Sequence, residues 1–314
     1  MKRKPYRYFL YLGLRVLEAL VSRLPRQIAL SLAAGIGELA FFVARRERKK
    51  TLEHLRLAYG AEKSDAELEG LGKRVFRHFA QAAVDMLRLP RLRRQELEPL
   101  IEVGDSFSIL DRVLSRGRGG IILTAHLGNW ELMGAYLRLR GYPGALVGRR
   151  IYYDKFDEFL VNLRLSAQLR TIYQDAPARE FLKVLHQNEL LGILADQDID
   201  RFDGIFVPFF GRPAYTLTAP VKMALASGAP LIPTFLVRKG NGYRFLVEEP
   251  IEVQMRGSRE ETIREYTERW SRVMEEKIRA YPDQWVWMHR RWKTVPAAGT
   301  IRESLNVGDA HTGG

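Results

Sequence analysis

The stretch IILTAHLGNWELMGAYLRL, residues 121–139, changes periodicity within a few positions. IILTA (121–125) is a continuous apolar run of the kind a strand buried on both faces requires. After Gly128 and Asn129 the apolar residues recur at helical spacing, and Asn129 is a good N-cap for a helix starting there. A strand that passes directly into a helix is the repeating joint of α/β sheets, whose ligands gather at the carboxyl ends of the strands. His126 stands at this joint, with Glu131 in the first helical turn, where the helix dipole favours a carboxylate. The pair reads in two ways. Either Glu131 holds the His126 ring in one tautomer and steadies its imidazolium, or Glu131 caps the helix and His126 is a satisfied polar residue.

Outward from this joint the texture repeats. ALVG (145–148), LLGILA (190–195), IFVPFF (205–210), LIPTFLV (231–237) and YRFLVEE (243–249) read as buried strands, with helical spacing over 129–140, 153–169, 177–187 and 215–227. The alternation predicts an α/β domain over residues 46–295, with a mixed central sheet covered by helices. A long charged helix at about 258–280 precedes the aromatic run YPDQWVWMHRRWK, in which Trp285, Trp287 and Trp292 read as packing residues. His54, His78 and His186 lie on charged helical segments and read as surface or packing residues. From residue 296 to 314 the chain is small, polar and Gly-rich, which predicts a disordered tail.

Hydrophobic content of 46% with 28% charged residues over 314 positions describes a globular chain. The absence of cysteine excludes disulfides, thiolate metal sites and cysteine nucleophiles. The net charge of +13 is concentrated at the N-terminus, where residues 1–56 carry 13 Lys/Arg against 4 Asp/Glu. Two apolar runs, 8–21 and 27–44, are bracketed there by basic residues. The first is shorter than the roughly 20 residues of a spanning helix, and Arg15 and Glu18 fall on one face of it. The second nearly reaches that length but contains Glu38. Core helices share this pattern, yet aromatic residues beside a polybasic edge favour a membrane-associating segment over 1–45 on the cytoplasmic side, interfacial or spanning. The α/β body lacks the basic-aromatic interleaving of a nucleic-acid reader, so no nucleic-acid partner is expected. The G-x-S-x-G elbow is also missing. A base without a protein nucleophile points to direct transfer, with the attacking hydroxyl supplied by the substrate.

With H-x4-E in TAHLGNWE (124–131), LADQD (194–198), VPFFGRPAYT (207–216), GAPLIP (228–233) and QWVWMHRRW (284–292), the chain resembles the bacterial lipid A biosynthesis acyltransferases of the lauroyl/myristoyl type. These belong to the lysophospholipid acyltransferase superfamily. The blocks occur in the family's order over nearly the whole chain, and the basic apolar N-terminus followed by a helix ending in LRLAYG also fits. The resemblance implies a glycerol-phosphate acyltransferase-like fold and an enzyme at the cytoplasmic face of the bacterial inner membrane. Its members move a fatty acyl chain from acyl carrier protein to a hydroxyl of a lipid acceptor, here a lipid A precursor; acyl-CoA is the other possible donor. It makes His126 the general base and Glu131 its acidic partner. Asp196 and Asp198 fall in its D-Q block, and Gly211 and Arg212 fall where the third motif binds acceptor. Pro230 and Pro233 match a structural fourth motif, and Arg164 matches an arginine of a segment beginning at Asn162. FFGRPA departs from the E-G-T-R of the glycerol-phosphate branch, so acceptor contacts do not carry over from that branch.

On this reading the enzyme must position an alcohol, remove its proton and stabilise an oxyanion, with no cofactor. Backbone N–H groups near Gly128 and Asn129 are candidate oxyanion donors. Arg149, Arg150 and Arg164 are candidates for the phosphates of the acceptor or of the donor's phosphopantetheine arm. Asp196 and Asp198, with no histidine beside them in sequence, make a poor metal-ligand set and read as partners of those arginines. No metal is expected. An acidic carrier protein also suits the basic surface. A rival acceptor is a phosphatidylinositol mannoside or a lysophospholipid, and a rival of another class is a lipid-binding protein without catalysis.

Overall fold

A computed structural model describes residues 6–296. Four long helices lead the chain: α1 (Tyr6–Val21), α2 (Arg26–Val43), α3 (Arg45–Tyr59) and α4 (Asp65–Leu87). The short α5 (Arg94–Leu97) precedes β1 (Ile101–Glu102) and α6 (Ser106–Leu114). Strands and helices then alternate: β2 (Gly120–Thr124), α7 (Trp130–Leu139), β3 (Gly144–Gly148), α8 (Asp154–Ser166), β4 (Arg170–Tyr173), α9 (Ala178–His186) and β5 (Leu190–Leu194). A hairpin of β6 (Gly204–Phe209) and β7 (Arg212–Leu217) follows, then α10 (Ala219–Ser227), β8 (Leu231–Lys239), β9 (Gly242–Val247) and α11 (Arg259–Ala280).

Seven strands form one mixed sheet in the order β1-β9-β8-β2-β5-β3-β4. All neighbours are parallel except β8 and β9. β2 lies at the centre and is buried along its whole length, which is why its sequence is an uninterrupted apolar run. The expected mixed α/β architecture is therefore the observed one. One helix begins later than its periodicity implies. Residues 215–217 complete the antiparallel ladder with β6, and Pro220 starts α10 in its first turn. β1 and β4 escaped the reading because two and four residues are too few to display a period.

α2 turns its small residues, with Leu30 and Phe41, inward and most of its large ones outward. Ala29, Ala33, Ala34 and Gly37 are buried toward α4, and a Cβ on Gly37 would lie 2.6 Å from the Phe76 carbonyl oxygen. Ile28, Leu32, Ile36, Leu39, Phe42 and Val43 point outward, and with Phe9, Val16 and Leu20 of α1 they form an exposed apolar surface. The two helices are fastened to the rest of the fold by an ion pair and by arginine–carbonyl hydrogen bonds. Arg26 makes a two-pronged contact with the buried Asp85 of α4 at 2.8 and 2.9 Å. Arg88 donates to the carbonyls of Val21 and Leu24, and Arg91 to that of Ser22, closing the open end of α1. Beyond Pro296 the expected tail lies outside the described residues.

Candidate active site

β2 and β5 run side by side in register through Thr124 and Leu194, so the residues that follow emerge together at the carboxyl end of the sheet. Asp196 and His126 meet there. The ring Nδ1 lies 2.8 Å from Asp196 Oδ1, and the His126 backbone N–H donates to Oδ2 at 2.9 Å. The indole of Trp285 donates to the same Oδ2 at 2.7 Å. Burial alone would raise the Asp196 pKa, but the charge and hydrogen bonds of His126 and the Trp285 donor outweigh it, holding the carboxyl well below its usual range. An ionised Asp196 accepts from Nδ1–H, which leaves Nε2 with its lone pair. His126 is one-sixth exposed and lines a cleft of about 650 Å³.

Gln197 and His289 complete the polar group. The Gln197 side-chain nitrogen lies 3.0 Å from His289 Nδ1, to which it can donate, and 3.2 and 3.4 Å from Nε2 and Nδ1 of His126, over the face of that ring rather than on its in-plane Nε2 lone pair. This requires a neutral His289, and burial followed by the nearby His126 pushes its pKa down to about 4.

The turn into α7 is held from behind. Gly128 has φ +67°, and a Cβ there would sit 2.0 Å from the Leu236 carbonyl oxygen, so only glycine fits. The His78 ring donates to the Gly128 carbonyl at 3.1 Å; burial drops its pKa to about 4, keeping the ring neutral. Gly128 N–H donates to the Gln284 carbonyl and Asn129 N–H to the Leu236 carbonyl, both at 2.9 Å. These amides are therefore committed and do not face a developing oxyanion. Asn129 caps α7 by accepting from Leu132 N–H at 3.1 Å and donates to the Ala82 carbonyl and the Tyr243 hydroxyl. Buried with both ends satisfied, it builds the turn and contacts no open space.

Glu131 does not reach His126. Its carboxylate takes two hydrogen bonds from Arg164, at 2.6 and 2.9 Å, in a buried pair between α7 and α8. Helix geometry explains the difference: Glu131 projects from the first turn toward α8, while the adjacent parallel strand delivers Asp196 to the ring. Arg164 is thereby occupied, and it also donates to Thr171 at 3.3 Å. Arg150 stacks on Tyr173 with its guanidinium carbon 4.0 Å from the ring centroid, whereas Arg149 is exposed and lines the cleft. Asp198 pairs with no arginine; it accepts from the Thr294 backbone N–H and hydroxyl, both at 2.7 Å. Gly211 and Arg212 form the tip of the β6–β7 hairpin, where Arg212 donates to the Leu57 carbonyl at 3.0 Å and neither residue lines the cleft.

The cleft also holds apolar residues such as Leu160, Phe181, Ile193 and Met223. Beside it lies a narrow, mostly apolar pocket of about 50 Å³ that shares Trp130, Glu131, Arg164 and Leu194 with it. The Glu131–Arg164 pair stands in the wall between the two. Residues overlooked as site members are Gln197, His289 and the indole of Trp285. The first was signalled by its place: LADQD follows an apolar run, as TAH does, and parallel strands deliver such ends together.

A family model described as "Bacterial lipid A biosynthesis acyltransferase" matches residues 2–294. A phosphatidylinositol mannoside acyltransferase of Mycobacterium tuberculosis is 25% identical over 213 residues, covering 66% of each chain, just under two thirds of that relative's length. The lipid A biosynthesis lauroyltransferase of Escherichia coli K12 is 28% identical over 301 residues, 92% of this chain and 93% of that one. A solved 1-acyl-sn-glycerophosphate acyltransferase of Thermotoga maritima overlaps 83% of this chain and 99% of its own at 16% identity and a TM-score of 0.35, too slight a likeness to argue from.

Proposed function

The chain belongs to the bacterial lipid A biosynthesis acyltransferase family, and from that premise we propose that it moves a fatty acyl group from a carrier-protein thioester to a hydroxyl of a lipid A precursor. His126 is the general base and Asp196 its orienting partner. The observation that carries this is the Asp196 carboxylate on Nδ1, which leaves Nε2 as the basic atom beside the cleft. The acceptor hydroxyl enters from the cleft and donates to Nε2. As its oxygen attacks the thioester carbonyl, the proton passes to Nε2 and the imidazolium is stabilised by Asp196. Collapse of the tetrahedral intermediate breaks the carbon–sulfur bond, and the thiolate leaves with that proton.

The exposed apolar face of α1 and α2, edged by basic residues, supports docking on the cytoplasmic face of the inner membrane. α2 is the one described helix long and apolar enough to span, but its small-residue face is packed on α4, which favours insertion into the interface. The mannoside relative makes a phosphatidylinositol mannoside the second acceptor to test. Purified protein is incubated with acyl-carrier-protein and acyl-CoA donors of several chain lengths and with both acceptor classes, and products are read by mass spectrometry. His126→Ala and Asp196→Asn are each expected to lower kcat by roughly 10²–10⁴. Wild-type rates in either variant would refute the assignment. A wild type that binds lipid but transfers nothing would leave only the non-catalytic reading.

A further inference from the structure

A second cavity, of about 290 Å³, lies on the other side of Gln197 and His289, both of which line it as well as the catalytic cleft. Its remaining wall is basic: Arg46 and Lys50 from the first turns of α3, and Arg290 and Lys293 from the segment after α11. Lys50 is paired with Glu47 and Lys293 with Asp200. Arg46 and Arg290 are exposed, and neither is ion-paired among the described residues. The one carboxylate in the wall, Asp198, is already held by the two Thr294 donors. Burial presses the pKa of the neighbouring His54 down, and Arg290 and Lys50 act in the same direction against the Trp287 carbonyl and Glu53. Of the three arginines that the sequence offered as phosphate ligands, Arg164 and Arg150 are engaged with Glu131 and Tyr173, and Arg149 lines the catalytic cleft rather than this cavity.

We infer that this cavity is a phosphate-binding subsite, in which Arg46 and Arg290 hold a phosphate of the ligand whose reacting group lies at His126. The inference rests on the acyltransferase reading for the ligand's identity, but the pocket itself does not depend on turnover. Two guanidinium groups in the wall of one pocket can match phosphate oxygens through paired N–H donors, which lysines do not reproduce. Both substrates of the proposed reaction can carry phosphate: an acceptor headgroup, or the phosphopantetheine arm of the donor. Position favours the headgroup. Arg46 follows closely on Phe42 and Val43, which are exposed at the end of α2's apolar face, so the pocket opens beside the surface expected to meet the membrane.

The test is calorimetric titration of the full chain at low salt with glucosamine 1-phosphate against glucosamine, and with phosphopantetheine against pantetheine. Glucosamine 1-phosphate is expected to bind roughly tenfold or more tighter than glucosamine. The exposed double variant Arg46→Glu/Arg290→Glu should abolish that gain. Arg45→Glu/Lys49→Glu, an equal charge change on the same helix outside the cavity, should retain it. A gain confined to phosphopantetheine would keep the phosphate subsite and assign it to the donor. No gain for either phosphorylated probe, or an undiminished gain in Arg46→Glu/Arg290→Glu, overturns the inference. A chain that binds these probes but transfers no acyl group would instead sink the acyltransferase reading and leave the subsite standing.

Discussion

At the scale of single residues, the two acidic side chains near His126 do different work although both lie close to it in the fold. Asp196 touches the ring, and Glu131 touches Arg164. The second contact is a buried ion pair, for which removing one partner strands the other charge without water. Glu131→Leu and Arg164→Met are therefore each expected to destabilise the protein by about 3–5 kcal/mol, with the double variant recovering much of that loss. Urea unfolding of the three variants measures it, and additive losses would show that the pair is not coupled. In Glu131→Gln, a lowered kcat at wild-type stability would instead place Glu131 in the chemistry. H-x4-E was legible in the sequence as a motif, but its partners were not. Spacing along the chain says which residues are near one another, whereas the direction of a side chain is set by the strand or helix that carries it. Asp196 lies 70 positions from His126 and becomes its neighbour only through a strand pairing.

At the scale of elements, α2 shows why composition left the membrane question open. Its apolar residues surround the helix, as in a core helix or a span, but the structure divides them. Small residues allow close approach to α4, Leu30 and Phe41 are buried at the flanks of that contact, and the other large residues are left outside. Replacing Ile36 and Phe42 by aspartate should release the protein from anionic vesicles in a flotation assay, because apolar insertion is lost. Stability in solution should change by no more than about 0.5 kcal/mol, since both positions are exposed. Unchanged flotation would mean that the α2 face does not contact lipid. The strand-to-helix joint at 121–131 was readable because its apolar run and its N-cap are local signals. The oxyanion role read into its amides was not, because Gln284 and Leu236, which bind those amides, come from distant segments.

At the scale of the whole molecule, the site is stabilised by two histidines kept neutral. His78 and His289 have pKa values near 4 in the folded chain against an ordinary 6.5. Between those values the unfolded chain binds more protons than the folded one, so stability is retained above pH 6.5 and lost as the pH falls toward 4. Each ring contributes at most roughly 1.4 kcal/mol per pH unit across that window. Urea titrations at pH 7.0, 5.5 and 4.5 should show the decline, and His78→Gln should flatten it; equal stability at all three pH values would contradict the neutral rings. Local patterns in the sequence determined the mixed α/β class, the strand-to-helix joint carrying His126 and the basic apolar N-terminus. These follow from periodicity and residue chemistry, which act over a few positions. Only the tertiary structure decided that Asp196 rather than Glu131 holds the ring, that Gln197 and His289 join it, and that Arg46 and Arg290 line one cavity. Each of those pairings joins segments from 33 to 244 positions apart if Glu131–Arg164 is counted with them, and packing alone brings such segments together.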